Sequence, residues 1–461
     1  MGRKKKIHNL DGLSKRLIKK KTPKNFKNLK GVKNIIGKNA KYYNLIINEI
    51  RTLAEDYGFI NVQIPTIEKY KFYEHTIGKY KKMIMDELYY VQSKDSEKLV
   101  LRPEARSGIA KNYVSLVNEN EENKIYNKYY YWQGQVFRNE KIKNGYYNQI
   151  NQCNFEIFDR DTLETEILLI FLTINLLKTL KIDAVVNINN IGCDECRREY
   201  ISVLNKFYKE RGRKSKLCSY CKKIITKNPL YLLRCQEEKC RKNIDEAPPI
   251  IDYLCEPCKK NFTKLLEYFD DLHIPYFLKT NLIKEADYYN HSVFEIVPKS
   301  KNTDNNSQKK DNVLSLASGG RYNGLTKDLC GDTIAGCGIT LSIDRIINLV
   351  KKNSLEVPER FRGCVFLAHL GDAAKKKGIL LFERLRKDGV LIKQIFSSFS
   401  LKYQLEEAQR LKVRFSLILG QKEAMDDTII LRDMESGIQE IIPFNKIEGE
   451  IKKRLKKIGE L

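Results

Sequence analysis

Ile46, Ile50, Leu53 and Tyr57 recur at i, i+4, i+7 and i+11, which predicts a helix over residues 41–57. Gly58 ends it, and a strand, FINVQIP, is expected up to Pro65. Strand-like runs recur at 87–92, 98–102, 128–138 and 150–158, and again at 291–298 and 312–317. Short runs separated by turn residues predict an antiparallel sheet. The most apolar stretch, 167–172, reads as a buried core helix, with Asp161 and Glu164 predicting a capping box at its start. It is far shorter than the ~20 residues a bilayer requires. Residues 301–312 are polar throughout and predict a mobile hairpin loop. A glycine-bearing strand and helix follow at 334–351. Beyond 351–361, which hold Pro358 and several charges and read as a linker, the pattern changes. CVFLAHL, VLIKQIF, FSLILG and TIILRD alternate with helical stretches at 373–388 and 400–411. That alternation predicts a small α/β domain with a partly parallel sheet over 362–461.

A chain of 461 residues with 42% hydrophobic content can bury two or three cores. Its net charge of +26 favours polyanionic partners, nucleic acid first. The first 30 residues hold twelve Lys/Arg and one acid, Asp11, and predict a flexible basic tail that adds phosphate affinity. The tail is lysine-rich rather than arginine- and serine-rich, unlike a transit peptide, and a cytoplasmic location is expected.

Eight of the twelve cysteines fall between 193 and 258, as the pairs Cys193/Cys196, Cys218/Cys221, Cys235/Cys240 and Cys255/Cys258. A C-x-x-C knuckle aims two sulfurs at one centre, and two knuckles complete a tetrahedral zinc site. Eight ligands suffice for two structural Zn²⁺ ions. The main rival, a set of disulfides, lacks a secretory signal ahead of it. An all-cysteine site has no open position for water, so these ions are expected to fold a domain rather than perform chemistry. Spacing does not fix which pairs share a metal; sequence neighbours are the simplest expectation.

Four polar constellations remain. Arg138 and Glu140 lie two apart at a strand end, where an arginine fork can grip an anion. Gln152 and Glu156 share one face of a strand. Ser318-Gly319-Gly320-Arg321-Tyr322 lets backbone approach a ligand beside a cation. Gly336-Cys337-Gly338, followed by Asp344-Arg345, offers a flat floor with an arginine above a planar ring. Each alone is weak, and each has an ordinary structural explanation.

In combination they resemble the signatures of class II aminoacyl-tRNA synthetases, and the chain most resembles the histidyl-tRNA synthetase family from about residue 30 onward. LRPEARSGIAKNYV, VFRNEKIKNGYYNQINQCNFEIF, ADYYNHSVFEIV and SGGRYNGL carry the likeness. The cysteine window, with APPIIDYLCEPC, resembles the inserted domain of bacterial members, and 363–461 resembles the anticodon-binding domain. The resemblance implies an α+β fold: a class II antiparallel catalytic core over 31–190 and 275–350, a zinc-bearing insertion over 191–274, and a C-terminal α/β anticodon-binding-like domain over 362–461. It implies ligation of histidine to its tRNA through histidyl-adenylate, with ATP and Mg²⁺. It also implies a homodimer, through the helix at 41–57, and no membrane partner. By the same likeness Arg138 grips the α-phosphate, Arg345 stacks on adenine, and Glu140 meets ATP or Mg²⁺. Arg321 neighbours ATP. Glu104 and Glu156 surround the substrate amine and ring. Gln152 lies near the carboxylate and amine, with Tyr288 and Tyr289 in the pocket and Gly319 and Gly320 in its floor.

The sequence departs from the family pattern at several of these positions. Lys284 stands where an arginine bridges carboxylate and α-phosphate; it keeps the charge but loses the planar fork. Ala105-Arg106 replaces Gly-Thr, putting a long cation in the pocket. Tyr146 and Asn148 stand where the loop carries arginines, Asn154 replaces a glycine, and Ser342 replaces another. Two other functions follow from these changes: a paralogue that binds tRNA in a regulatory role without activating histidine, or an enzyme for another, acidic amino acid that Arg106 would suit.

Overall fold

In the computed structural model the chain forms two units, Met1–Leu355 and Glu356–Leu461. The structure describes residues 28–77, 87–119, 128–140, 147–210, 212–225, 229–235, 237–284, 286, 288–299, 314–355, 357, 365–395 and 400–459. Most of the expected basic tail, the 301–312 loop, Tyr146 and, of the expected linker, 356 and 358–361 lie outside the described residues; the linker's first two residues, Lys351 and Lys352, end the helix Ile343–Lys352.

The first unit contains β1 (Ile60–Asn61), β2 (Ile67–Lys69), β3 (Tyr90–Gln92), β4 (Lys98–Leu101), β5 (Tyr129–Phe137), β6 (Gln149–Phe158), β7 (Ala184–Asn190), β8 (Tyr276–Leu278), β9 (Asn290–Pro298), β10 (Ala317–Arg321) and β11 (Gly336–Ser342). Eight form one sheet, ordered β1-β5-β6-β11-β10-β9-β7-β8. Its six central strands run antiparallel, and only the terminal pairs β1/β5 and β7/β8 are parallel. A smaller antiparallel sheet joins β2, β4 and β3.

Strand alternation sorts β6 into two faces. Cys153, Phe155 and Ile157 are buried on one side; Gln152, Asn154 and Glu156 share the other. The back of the sheet is covered by the helix Glu164–Thr179, which packs on β10 and β11 and buries Ile167, Leu169, Ile170, Leu172, Leu176 and Leu177. Each such side chain contributes roughly 1.5–3 kcal/mol. The expected capping box does not form. The residue before this helix is Leu163, without a side-chain cap, and Asp161 instead accepts a 2.7 Å hydrogen bond from Arg321.

The first predicted helix spans Lys38–Asp56, and its inward stripe is Tyr42, Ile46, Ile50 and Ala54, with Leu53 and Tyr57 at the margin. The expected strand up to Pro65 pairs only over Ile60–Asn61, extended by Val62 N donating to Tyr131 O at 2.9 Å. The strand expected at 312–317 instead starts at Ala317, so Ser318-Gly319-Gly320-Arg321 lies within β10 rather than in a bend.

Residues 191–274 contribute two long helices, Asp194–Lys209 and Glu256–Asp271, with short helical turns between them. Tyr200, Leu204, Tyr208, Leu232, Leu233 and Ile250 are buried among these elements.

The second unit contains β12 (Val365–His369), β13 (Ile392–Gln394), β14 (Phe415–Leu419), β15 (Thr428–Asp433) and β16 (Gln439–Pro443), ordered β13-β12-β14-β15-β16. β12 is parallel to both neighbours; the remaining pairs are antiparallel, as the sequence pattern predicts. Leu367, Leu381, Leu385, Leu417 and Ile451 form its core. No described helix is long and apolar enough to cross a membrane.

Candidate active site and cysteine centres

The register of three central strands builds the site. Glu156 of β6 is paired with Gly338 of β11, which is paired with Gly320 of β10. One step along, Asn154, Thr340 and Ser318 form a parallel row, and Glu295 of β9 extends it. Two glycines in the first row leave the Glu156 carboxylate room to lie across the sheet. A Cβ at Gly338 would lie 1.5 Å from Glu156 Oε2. Gly320 has φ +155° and passes 2.6 Å, measured from its ideal Cβ, from Ser292 O, which excludes other residues.

Arg106 enters this face from the first residue of the helix Arg106–Glu119. Its Nε lies 3.1 and 3.0 Å from the two oxygens of Glu156. One terminal nitrogen donates to the Tyr289 hydroxyl and the other to Thr340 Oγ1 at 3.4 Å. Asn154 donates to Glu156 Oε1 at 2.7 Å, and the Tyr322 hydroxyl donates to Oε2 at 2.7 Å. Glu156 is completely buried. Burial raises its carboxyl pKa above the ordinary range, with Arg106 pulling it back. Burial lowers that of Arg106, but Glu156 outweighs it and holds the guanidinium charged. The Arg106 charge is therefore already matched, which removes the basis for expecting an acidic ligand.

Tyr288 and Tyr289 are buried and meet Tyr322 edge-on at 6.0 and 6.4 Å. Burial pushes the Tyr289 hydroxyl up to about 12. Lys284 is buried beside the second row: its Nζ donates to Phe294 O at 2.8 Å and Ser318 Oγ at 2.5 Å, and Glu295 Oε1 is 3.5 Å away. Burial lowers this amine to about 8, with Glu295 opposing. Asp287 and Glu285 lie outside the described residues.

Arg138 follows β5. Its Nε donates to Pro103 O at 2.9 Å, and Glu140 lies 3.5 Å from a terminal nitrogen. Glu104 Oε1 accepts from Ser107 N at 3.0 Å, at the start of the Arg106–Glu119 helix. Gln152 is half-buried on the Glu156 face. Asn148 is buried, donates to the Tyr89 hydroxyl at 3.0 Å and packs against Gly31. Arg345, on the helix Ile343–Lys352, donates to Ser315 O at 2.8 Å. Ser342 precedes that helix. The neighbouring Asp344 turns inward, accepting from Asn151 N at 2.8 Å and from Lys33 at 2.9 Å.

Arg321 is a correction. Alternation along β10 puts Ser318 and Gly320 on the Glu156 face and Arg321 on the opposite one. There it donates to both oxygens of buried Glu166, at 2.8 Å from Nε to Oε1, and to Thr162 O at 2.7 Å. It ties the Glu164–Thr179 helix to the sheet and does not reach the face expected to hold ATP. Sequence reasoning left Tyr322, Thr340 and Asn151 unassigned. The hydroxyl beside Gly-Gly-Arg was visible, but a threonine inside a strand gives no local signal.

The cysteines gather as Cys193, Cys196, Cys255 and Cys258, and as Cys218, Cys221, Cys235 and Cys240, the sulfurs of each group within 4.8 Å of one another. The sets are nested, which corrects the expectation that sequence neighbours share a metal. The antiparallel return of the insertion brings its first and last knuckles together. Backbone amides point at sulfur: Cys255 N to Cys196 Sγ at 3.1 Å, and Cys218 N to Cys240 Sγ at 3.1 Å. Burial raises the Cys218 thiol, but amide and thiol donors outweigh it and bring it to about 7, favouring thiolate. Four convergent thiols with amide support fit a tetrahedral thiophilic metal such as zinc, for which Zn–S bonds of ~2.3 Å place sulfurs ~3.8 Å apart. Cys193 and Cys196 sulfurs are 3.5 Å apart, and Cys218 and Cys235 sulfurs 3.8 Å. The outer group adjoins the pocket strand: His291 Nδ1 is 3.6 Å from Cys258 Sγ, and Arg197 donates to Tyr289 O at 2.8 Å.

A family model described as Histidyl-tRNA synthetase matches residues 31–193, and one described as Anticodon binding domain matches residues 364–454. The histidine--tRNA ligase of Dehalococcoides mccartyi is 30% identical over 427 residues, covering 92% of this chain and 99% of that one. The histidine--tRNA ligase of Clostridium novyi is 28% identical over 425 residues, covering 91% and 97%. Among solved structures, apo histidyl-tRNA synthetase of S. aureus superposes with a TM-score of 0.73 at 24% identity, over 93% of this chain and all of that one.

Proposed function

The chain belongs to the histidyl-tRNA synthetase family, and from that premise we propose that it ligates histidine to its cognate tRNA through an ATP-derived histidyl-adenylate. The carrying observation is the cross-strand row of Glu156, Gly338 and Gly320, which sets a buried carboxylate where it can pair with a cationic ring. Tyr288, Tyr289 and Tyr322 wall that space, and Gln152 lies on the same face toward the amino and carboxyl groups. Lys284 supplies positive charge beside the reacting carboxylate. Arg138, held by Pro103 O, is aimed at the α-phosphate, and Arg345 lies over the adenine side. These groups act by orientation and charge stabilisation rather than covalent chemistry. Mg²⁺ neutralises and bridges the phosphates when bound, and the partly exposed Glu140 carboxylate beside Arg138 fits a role toward it.

The two cysteine groups each hold a structural Zn²⁺ in this reading. The second unit binds tRNA, supported by Lys452, Lys453, Lys456 and Lys457, which line one groove of about 500 Å³ on its last helix. A cytoplasmic homodimer is the expected form, with exposed Leu29, Ile36 and Ile60 available near its first helix. The test is histidine-dependent ATP–pyrophosphate exchange, with Lys284→Arg alongside. Exchange with histidine alone supports the reading. Absence of exchange in both proteins, with tRNA binding intact, overturns it in favour of the regulatory alternative.

A further inference from the structure

Arg106 fills the space that the proposed function requires for a substrate ring. Its guanidinium is planar and cationic and donates through its N–H groups, like a protonated imidazole. It faces the Glu156 carboxylate on one edge, the Tyr289 hydroxyl on another, and the Tyr322 ring at 4.9 Å. We propose that Arg106 is an internal occupant of the ring subsite, so that the amino acid enters only when this side chain withdraws. The inference rests on the reading above and adds to it a specificity-determining residue.

Three observations support it. Glu156 is completely buried, so a cation must accompany it whether or not substrate is present. Its oxygens are already engaged by Arg106, Asn154 and Tyr322, so a ligand ring can reach it only by replacing one of them. Of the three, Arg106 has the longest and most rotatable arm. It extends from the first residue of its helix, so it can leave by side-chain rotation without unwinding a turn. Asn154 is confined within β6 and Tyr322 is buried beside Phe158.

Apparent affinity is then the intrinsic affinity scaled by the fraction of molecules with Arg106 withdrawn. Shortening residue 106 removes that factor. Calorimetric titration of histidine should give at least tenfold tighter binding to Arg106→Thr than to the unaltered protein. Free imidazole is the second probe: at millimolar concentration it should raise the melting temperature of Arg106→Ala, by refilling the vacated space, and leave the unaltered protein unmoved. Histidine binding to Arg106→Thr that is equal or weaker, or imidazole stabilising both proteins alike, overturns the proposal. If the short variants do not fold, Arg106→Lys serves instead. It keeps the charge but cannot span both Glu156 oxygens and Tyr289 together, so histidine should again bind more tightly than to the unaltered protein, and no gain overturns the idea. Failure of the family activity reads out separately, as absent pyrophosphate exchange in every protein while imidazole still stabilises Arg106→Ala.

Discussion

Replacing Lys284 with methionine should change how stability depends on pH, and in one direction. The amine is buried, and burial lowers its pKa from 10.5 to about 8 despite Glu295. Such a fall corresponds to about 3 kcal/mol of destabilisation while the amine is charged. A lysine with depressed native pKa binds fewer protons when folded than when unfolded, in the window between the two values. Stability therefore rises with pH there. The deficit is fully present below pH 8 and is relieved between about 8 and 10.5. The charged groups that act on it are Glu295, Arg106 and Arg234, and all three are common to both proteins. Cysteines and tyrosines that titrate in that window are common to both as well and cancel in the difference. Urea unfolding at pH 7, 8, 9 and 10 measures it. The stability of the unaltered protein minus that of Lys284→Met should climb by up to about 1.4 kcal/mol per pH unit above pH 8. Methionine also removes the bonds to Phe294 O and Ser318, which sets the offset but not the slope. Parallel curves from pH 7 to 10 would refute the argument. The same titration predicts that exchange activity declines above pH 8, and that Lys284→Arg, which stays charged, shows no such decline.

Gly338→Ala puts a methyl carbon onto the Glu156 carboxylate and should reduce pyrophosphate exchange by at least about 100-fold; near-normal activity would show that the carboxylate has room to move. Arg321→Met leaves Glu166 buried without its partner and should cost about 3–5 kcal/mol in urea unfolding; a loss below 1 kcal/mol would mean that the cluster is solvated. The double variant Cys196→Ser/Cys258→Ser removes ligands from one nested site, so metal analysis should find two zinc ions per chain in the unaltered protein and one in the variant; a variant with none would restore the pairing of sequence neighbours.

Much of the fold is legible because periodicity reports on local burial. Alternation along 150–158 marks β6, and the strand–helix alternation after 362 foretells the mixed sheet of the second unit. Element ends are less legible. Asp161 has the spacing of a helix cap, yet Arg321, some 160 residues on, takes its carboxylate. The site divides the same way. Glu156 and its paired glycines can be located from motif and parity, whereas the face on which Arg321 falls follows from where β10 begins, which the polar run before it obscures. Arg106 is visible in sequence as an oddity. That it meets Glu156 and Tyr289, 50 and 183 residues away, follows from how its helix and the segment before β9 pack onto β6, a tertiary property.

The nesting of the cysteine groups also sets an order of assembly. Thirteen residues separate Cys221 from Cys235, and fifty-eight separate Cys196 from Cys255. Closing a loop costs entropy that grows with the logarithm of its length, so the inner ring closes more readily. Once closed, it shortens the free chain that the outer ring must gather. With metal bound as proposed, assembly is expected to run from the tip of the insertion toward its base, and scarcity to empty the base first. The base is the end that touches His291 and, through Arg197, the backbone of Tyr289. If the groups hold metal as proposed, a chain short of it would keep its folded tip and lose the buttress behind its pocket.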